Sequence, residues 1–105
     1  MENNSTTELA AMTLIANSGD ARSLAFQALE KAKLGKFSEA ENLLKESDEK
    51  SKVAHKAQTE LLFSEAGGDN INLTLLMVHA QDHLMTSMLA VEMIREFITL
   101  YQGKE

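Results

Sequence analysis

The sequence contains no cysteine, no proline and no tryptophan, and only 5% of its 105 residues are aromatic. Absence of cysteine excludes disulfides and thiolate-ligated zinc, and it fits a reducing compartment. Absence of proline leaves nothing to interrupt long helices. With four phenylalanines and one tyrosine, the core must be built from aliphatic and methionine side chains. Basic residues are also few: 10 Lys and Arg face 16 Asp and Glu, a net charge of −6. That balance argues against nonspecific nucleic-acid binding, which needs a basic footprint. No apolar run reaches the roughly 20 residues of a membrane span, and no basic-then-apolar leader is visible. The expectation is a soluble, cytoplasmic protein. The length fits one domain, 1–105, with a small core.

Three helical segments are legible, at about 5–34, 38–66 and 71–102. The first opens on Ser5-Thr6-Thr7-Glu8, a capping-box pattern. Leu9, Met12, Ala16, Gly19, Ser23, Phe26 and Leu29 then recur at helical steps and mark the expected buried face. Gly35 is the expected terminator. Gly19 lies in phase inside the helix, which points to a close helix approach. The second helix opens on Ser38 with Glu41 as a second capping box and ends at Gly67-Gly68. Its narrow seam is Ala40, Leu44, Ser47, Ser51, Ala54, Gln58 and Leu61, flanked by Leu43 and Ala57. Glu41–Lys45, Glu46–Lys50 and Asp48–Lys52 stand at i,i+4 in the favoured order, each worth roughly 0.3 kcal/mol when exposed. Gly35-Lys36-Phe37-Ser38-Glu39-Ala40 resembles a tetratricopeptide turn, but no second copy follows about 34 residues later.

The third helix carries one seam of Leu73, Met77, Ala80, Leu84, Met88, Val91 and Ile98. A second face holds Leu75, Leu76, His79, Asp82, His83, Thr86, Ala90, Met93 and Phe97. Short connections make neighbouring helices antiparallel, so the expected fold is an all-α, up-down-up three-helix bundle. One bundle cannot easily bury both faces of the third helix, and self-association through the second face follows.

His79, Asp82 and His83 share a helix face at i, i+3 and i+4. Burial of such groups is costly unless they are paired or liganded. Metal binding is one reading, since His-x-x-x-His on a helix is a ligand spacing. The zinc protease motif needs Glu where Ala80 stands, and di-iron bundles need Glu-x-x-His, whereas Lys52, Leu76 and Ala80 precede the three histidines. A structural metal site in a non-catalytic assembly module therefore stays open. Phosphotransfer is the second reading: a neutral imidazole attacks phosphorus well and gives a labile bond. His83 and Gln81 could supply donors to phosphoryl oxygens, while ionised Asp82 must face elsewhere or be neutralised. The His-x-x-Lys-Gly pattern of histidine phosphotransfer domains is not met by Asp82-His83. The bland reading is a hydrogen-bonded polar patch at a helix interface. It suffices for the isolated His55, and Met77, Met85, Met88 and Met93 read as core filler.

The segment Leu75-Leu76-Met77-Val78-His79-Ala80-Gln81-Asp82-His83-Leu84-Met85-Thr86 resembles the active-site stretch of the lactose/cellobiose (N,N′-diacetylchitobiose) type enzyme IIA of the bacterial sugar phosphotransferase system. Ile15-Ala16-Asn17-Ser18-Gly19-Asp20-Ala21-Arg22-Ser23 resembles that family's first-helix motif, and Ala54-His55-Lys56-Ala57-Gln58-Thr59-Glu60-Leu61 its second. The resemblance implies a homotrimer of three-helix bundles. It implies that His79 accepts a phosphoryl group from the histidine-containing phosphocarrier HPr and passes it to a cysteine of the cognate enzyme IIB. Gln81 and His83 are implied as supporting residues. Asp82 matches a carboxylate near the threefold axis, and the resemblance implies that it shares a divalent cation, Mg2+, with its two symmetry mates. The sugar and the membrane are then met only through the enzyme IIC permease.

Overall fold

A computed structural model of the chain describes residues 2–71 and 73–103, with side chains from residue 7 onward. It consists of three helices: α1 (Glu2–Lys33), α2 (Phe37–Ala66) and α3 (Leu75–Gln102). No strand occurs among the described residues. The bundle is a rod of 52 × 21 × 19 Å. Helix α1 packs along both α2 and α3, which touch each other far less.

The reason lies in the α1 seam. Thr7, Ala11, Leu14, Ser18, Ala21, Ala25, Ala28 and Ala32 are buried at alternating steps of four and three, the heptad spacing of helices packed with a shallow left-handed twist. Helix α3 answers with Met77, Ala80, Leu84, Ser87, Val91, Ile94 and Ile98, and α2 with Ala40, Leu44, Ser47 and Ala54. A fully buried leucine such as Leu14 or Leu84 contributes about 1.5–3 kcal/mol. An alanine contributes less by area, but it lets two backbones approach closely.

The expected α1 face is thus corrected: Leu9 and Phe26 are 70% and 51% exposed, and Met12, Ala16 and Ser23 are exposed with them. The bulky residues lie outside the small-residue seam. Gly19 is corrected as well. A Cβ there would meet nothing within 4 Å, so no close approach within the chain requires it, and α1 runs through it unbroken.

Gly35 ends α1 as expected. It adopts φ +77°, and Lys36 N donates to Lys31 O at 2.9 Å while Gly35 N donates to Ala32 O at 2.9 Å. Those two bonds are the Schellman pattern. All three helix starts differ from expectation. Helix α2 begins at Phe37 behind Lys36, whose side chain makes no cap bond, so Ser38 lies inside the helix. Helix α3 begins four residues later than expected, because Thr74 caps it by accepting from Met77 N at 3.1 Å. Leu73 therefore falls outside the helix and is exposed. Helix α1 already includes Glu2, ahead of Ser5, whose side chain is outside the described residues.

Two apolar clusters fill the bundle. One joins Ala11 and Leu14 to Ala54 and to Met77, Ala80 and Leu84. The other joins Ala25, Ala28 and Ala32 to Ala40, Leu44, Val91, Ile94 and Ile98. This register makes α1 and α3 parallel and α2 antiparallel to both. Between the clusters lies a polar waist of Ser18, Ser47 and Ser87, all buried. Ser47 Oγ donates to Ala21 O at 2.7 Å. The expected i,i+4 pairs of α2 are not formed among the described residues. Lys50 instead meets Asp20 of α1 at 3.9 Å, and Asp48 pairs with Arg95 of α3, since inter-helix partners lie within reach.

Candidate functional site around His79

Helix α3 opens on the sequence Leu75-Leu76-Met77-Val78, which has no acidic residue in its first turn. His79 stands on the next turn and is exposed, and its neighbour His83 is half-buried. The two rings meet edge to face, with centroids 4.7 Å apart and planes at 79°. This contact follows from their i,i+4 spacing. His83 Nδ1 is buried with no hydrogen-bond partner in the chain. Helical side chains lean toward the helix N-terminus, which directs His79 toward the opening turn of α3. There the Leu75 and Leu76 amides and the positive end of the helix dipole favour an anion, the Met77 and Val78 amides being bonded to Thr74.

Asp82 is exposed and makes no ion pair among the described residues. Successive helical residues are about 100° apart, so Asp82 and His83 lie on opposite flanks of His79. No group of three His, Cys, Asp or Glu that could hold a metal occurs among the described residues. The described residues therefore give no support to a structural metal held by His79, Asp82 and His83 of one chain: the two rings meet edge to face, and Asp82 lies on the other flank of His79.

Asp82 instead sits within a run of exposed apolar residues. Leu75, Val78, Met85, Leu89 and Met93 are 86, 48, 56, 60 and 49% exposed. With Asp82 between Val78 and Met85 they run in steps of three and four and form a second seam on α3, unburied within the chain. The expected second face is thus open in part: Leu76, which packs on the core, His83 and Ala90 are half-buried, and Val78, Met85 and Leu89 belong to the open seam without having been expected there. The spacing Leu75, Val78, Asp82, Met85, Leu89 is the signal that could have found them. Met85 and Met93, read from sequence as core filler, are part of this open face.

Gln81 turns toward α2. Gln58 Nε2 donates to its Oε1 at 2.6 Å, and its own amide nitrogen donates to Met77 Sδ at 3.7 Å. Within one chain Gln81 is anchored away from His79. Gln58, placed from sequence on the α2 seam, emerges as that anchor. Thr86 Oγ1 donates to Asp82 O at 2.8 Å. His55 is exposed on α2 and takes no part in the His79–His83 contact.

The chain matches the family model described as the PTS system lactose/cellobiose specific IIA subunit, over residues 9–102. It is 50% identical over 91 residues to the N,N′-diacetylchitobiose-specific EIIA component of Escherichia coli (strain K12), covering 87% of this chain and 78% of that protein. It is 43% identical over 95 residues to the lactose-specific EIIA component of Staphylococcus epidermidis, covering 90% and 91%. The fold superposes on the crystal structure of the cellobiose-specific enzyme IIA from Bacillus anthracis with a TM-score of 0.90 at 44% identity, covering 92% and 89%. It also superposes on a solution structure of a IIA(chitobiose)–HPr complex, with a TM-score of 0.81 at 45% identity, covering 92% and 94%. With the family model matched over residues 9–102, half-identical relatives and a fold shared along nine-tenths of the chain, this chain is a member of the lactose/cellobiose-specific IIA family of the phosphotransferase system.

Proposed function

We propose that this protein is a cytoplasmic phosphocarrier in sugar uptake, with His79 as its phosphoryl acceptor. The observation that carries the reading is the exposed His79 ring seated against His83 at the positive end of α3. A lone pair of the His79 ring attacks phosphorus while the donor's P–N bond breaks. In the second step a cysteine thiolate attacks that phosphorus, and the P–N bond to His79 breaks in turn. No water enters and no nucleotide is consumed, so the group keeps its transfer potential. HPr is the donor, in keeping with the complex formed by the chitobiose relative. The cysteine belongs to the cognate enzyme IIB.

The working unit is a homotrimer closed through the open seam of α3. That arrangement buries Leu75, Val78, Met85 and Leu89 and brings three copies of Asp82 together. Three carboxylates form an all-oxygen donor set suited to a hard divalent cation such as Mg2+, and Asp82 of each chain would hold it. When bound, the cation neutralises like charges that would otherwise repel. The phosphoryl transfer itself is left to His79 and His83. In the trimer Gln81, anchored by Gln58, lines the chain's flank as a supporting residue.

The test is incubation with phosphoenolpyruvate, enzyme I and HPr, followed by mass spectrometry. Gain of one acid-labile phosphoryl group at His79 is the expected result. No gain under conditions that charge HPr would leave only a helical assembly module.

A further inference from the structure

Three buried polar atoms among the described residues have no hydrogen-bond partner in the chain: Ser18 Oγ, Ser87 Oγ and His83 Nδ1. Each is costly to leave unpaired. Ser18 and Ser87 occupy the waist between the two apolar clusters, on the packed seams of the parallel helices α1 and α3, and are 1% and 2% exposed. Ser87 follows His83 by four residues and lies one turn beyond it.

A helical serine commonly bonds a carbonyl one turn back, and neither of these does. Thr86, not Ser87, reaches the His83 carbonyl, at 3.4 Å. Ser47 of the same waist is satisfied across the bundle by Ala21 O. Two hydroxyls and a ring nitrogen, all buried and all unsatisfied, are the partner set that one ordered internal water requires, since such waters make about three bonds.

We propose that Ser18 and Ser87 hold one buried water against His83 Nδ1, fixing His83 as the Nε2–H tautomer and making both serines positioning residues for phosphoryl transfer. This rests on the reading of His79 as the acceptor. The water donates one hydrogen to Nδ1 and one to a serine oxygen, and it accepts the other serine's hydroxyl hydrogen. All three unsatisfied atoms are then paired. A neutral imidazole carries one ring proton. With Nδ1 held as an acceptor, that proton stays on Nε2, at the accessible edge of the half-buried ring. Nε2–H is then a fixed donor beside His79, available to an oxygen of the phosphoryl group. The device resembles the way an outer partner sets the tautomer of a metal-bound histidine. It also gives a role to Ser18, a motif residue that the transfer chemistry alone does not use.

The experiment is a two-bond 1H–15N correlation spectrum of the imidazoles, recorded on the unphosphorylated protein at mildly alkaline pH. Wild type is compared with the Ser18→Ala/Ser87→Ala double variant, and His55→Gln and His79→Gln assign the signals. Alanine is smaller and a better helix former, so the double variant keeps its helix content, which circular dichroism checks. Wild-type His83 should show the Nε2–H tautomer alone. The double variant should show a mixture of tautomers, with transfer to enzyme IIB slowed about 10-fold and uptake from HPr retained. If the hydroxyls are idle, removing them relieves two unpaired groups, and the melting temperature rises with the tautomer unchanged. That result, or an Nδ1–H tautomer in wild type, overturns the proposal. Failure of His79 to take up a phosphoryl group would sink the functional reading instead, and it would leave the tautomer result standing.

Discussion

At the residue scale the two imidazoles are distinguished by burial. His79 is exposed, while His83 is half-buried with one nitrogen inside the protein. A nucleophile must be approached in line by phosphorus, so the exposed ring suits the acceptor and the anchored ring suits a fixed donor. His79→Gln should abolish phosphorylation, because no nucleophilic nitrogen remains. His83→Gln keeps a donor and should still be phosphorylated, with transfer to enzyme IIB slowed by about 10–100-fold, the order for a lost positioning contact. Phosphoryl incorporation from charged HPr, chased with IIB, separates the two. Uptake by His79→Gln but not by His83→Gln would exchange their roles.

At the element scale, helix ends depend on single residues. Thr74 accepts the Met77 amide at 3.1 Å and fixes where α3, and therefore the anion-favouring end beneath His79, begins. Thr74→Ala should cost about 1 kcal/mol, visible as an earlier urea midpoint at unchanged slope. An unchanged midpoint would mean that the cap is replaced by water at no cost.

Much of this level was legible in the sequence. Gly35 marked the end of α1 because positive φ favours glycine, and the α2 seam of Ala40, Leu44, Ser47 and Ala54 was read correctly. The α1 face was misread because size was taken as the sign of burial. Leu9, Met12 and Phe26 are large, yet α1 is the helix that touches both others, and a central helix needs small residues at its contacts. Ala11, Ala21, Ala25, Ala28 and Ala32 were visible at strict heptad spacing, but alanine is neutral in a hydrophobic pattern and so carries little weight. The start of α3 was placed early for a related reason. Thr74 sits within an apolar stretch, Ile71 to Leu76, whose hydrophobicity continues the helical pattern past its true cap. The candidate site was legible as far as its composition and the pairing of His79 with His83. The rotation of Gln81 toward Gln58 was not, because helix orientation follows from which seam is buried.

At the scale of the whole molecule, the open face of α3 must be covered or remain a liability. Leucine, valine and methionine side chains at heptad spacing run down one helix with a single carboxylate, Asp82, among them. The proposed trimer predicts a light-scattering mass near three times the 11.6 kDa of the chain at micromolar concentration. A stable, well-folded monomer would show that this face is not an interface between copies.

Asp82 then provides the sharper measurement. Three like charges near one axis repel unless a cation or protons neutralise them. Replacing buried charge by apolar volume is often neutral or stabilising by about 1–4 kcal/mol, and leucine would continue the seam of Val78, Met85 and Leu89. Asp82→Leu should therefore stay trimeric and melt at or above the wild-type temperature. The cation adds a second arm. A ligand bound only by the assembled state stabilises it by mass action, so a chelator should lower the melting temperature of wild type, and Mg2+ should restore it. In Asp82→Leu neither addition should move the transition, because the oxygen donors are gone. Dissociation and unfolding of Asp82→Leu would instead identify Asp82 as the partner of a specific group on another protein or another copy. A chelator response that survives the substitution would place the cation elsewhere.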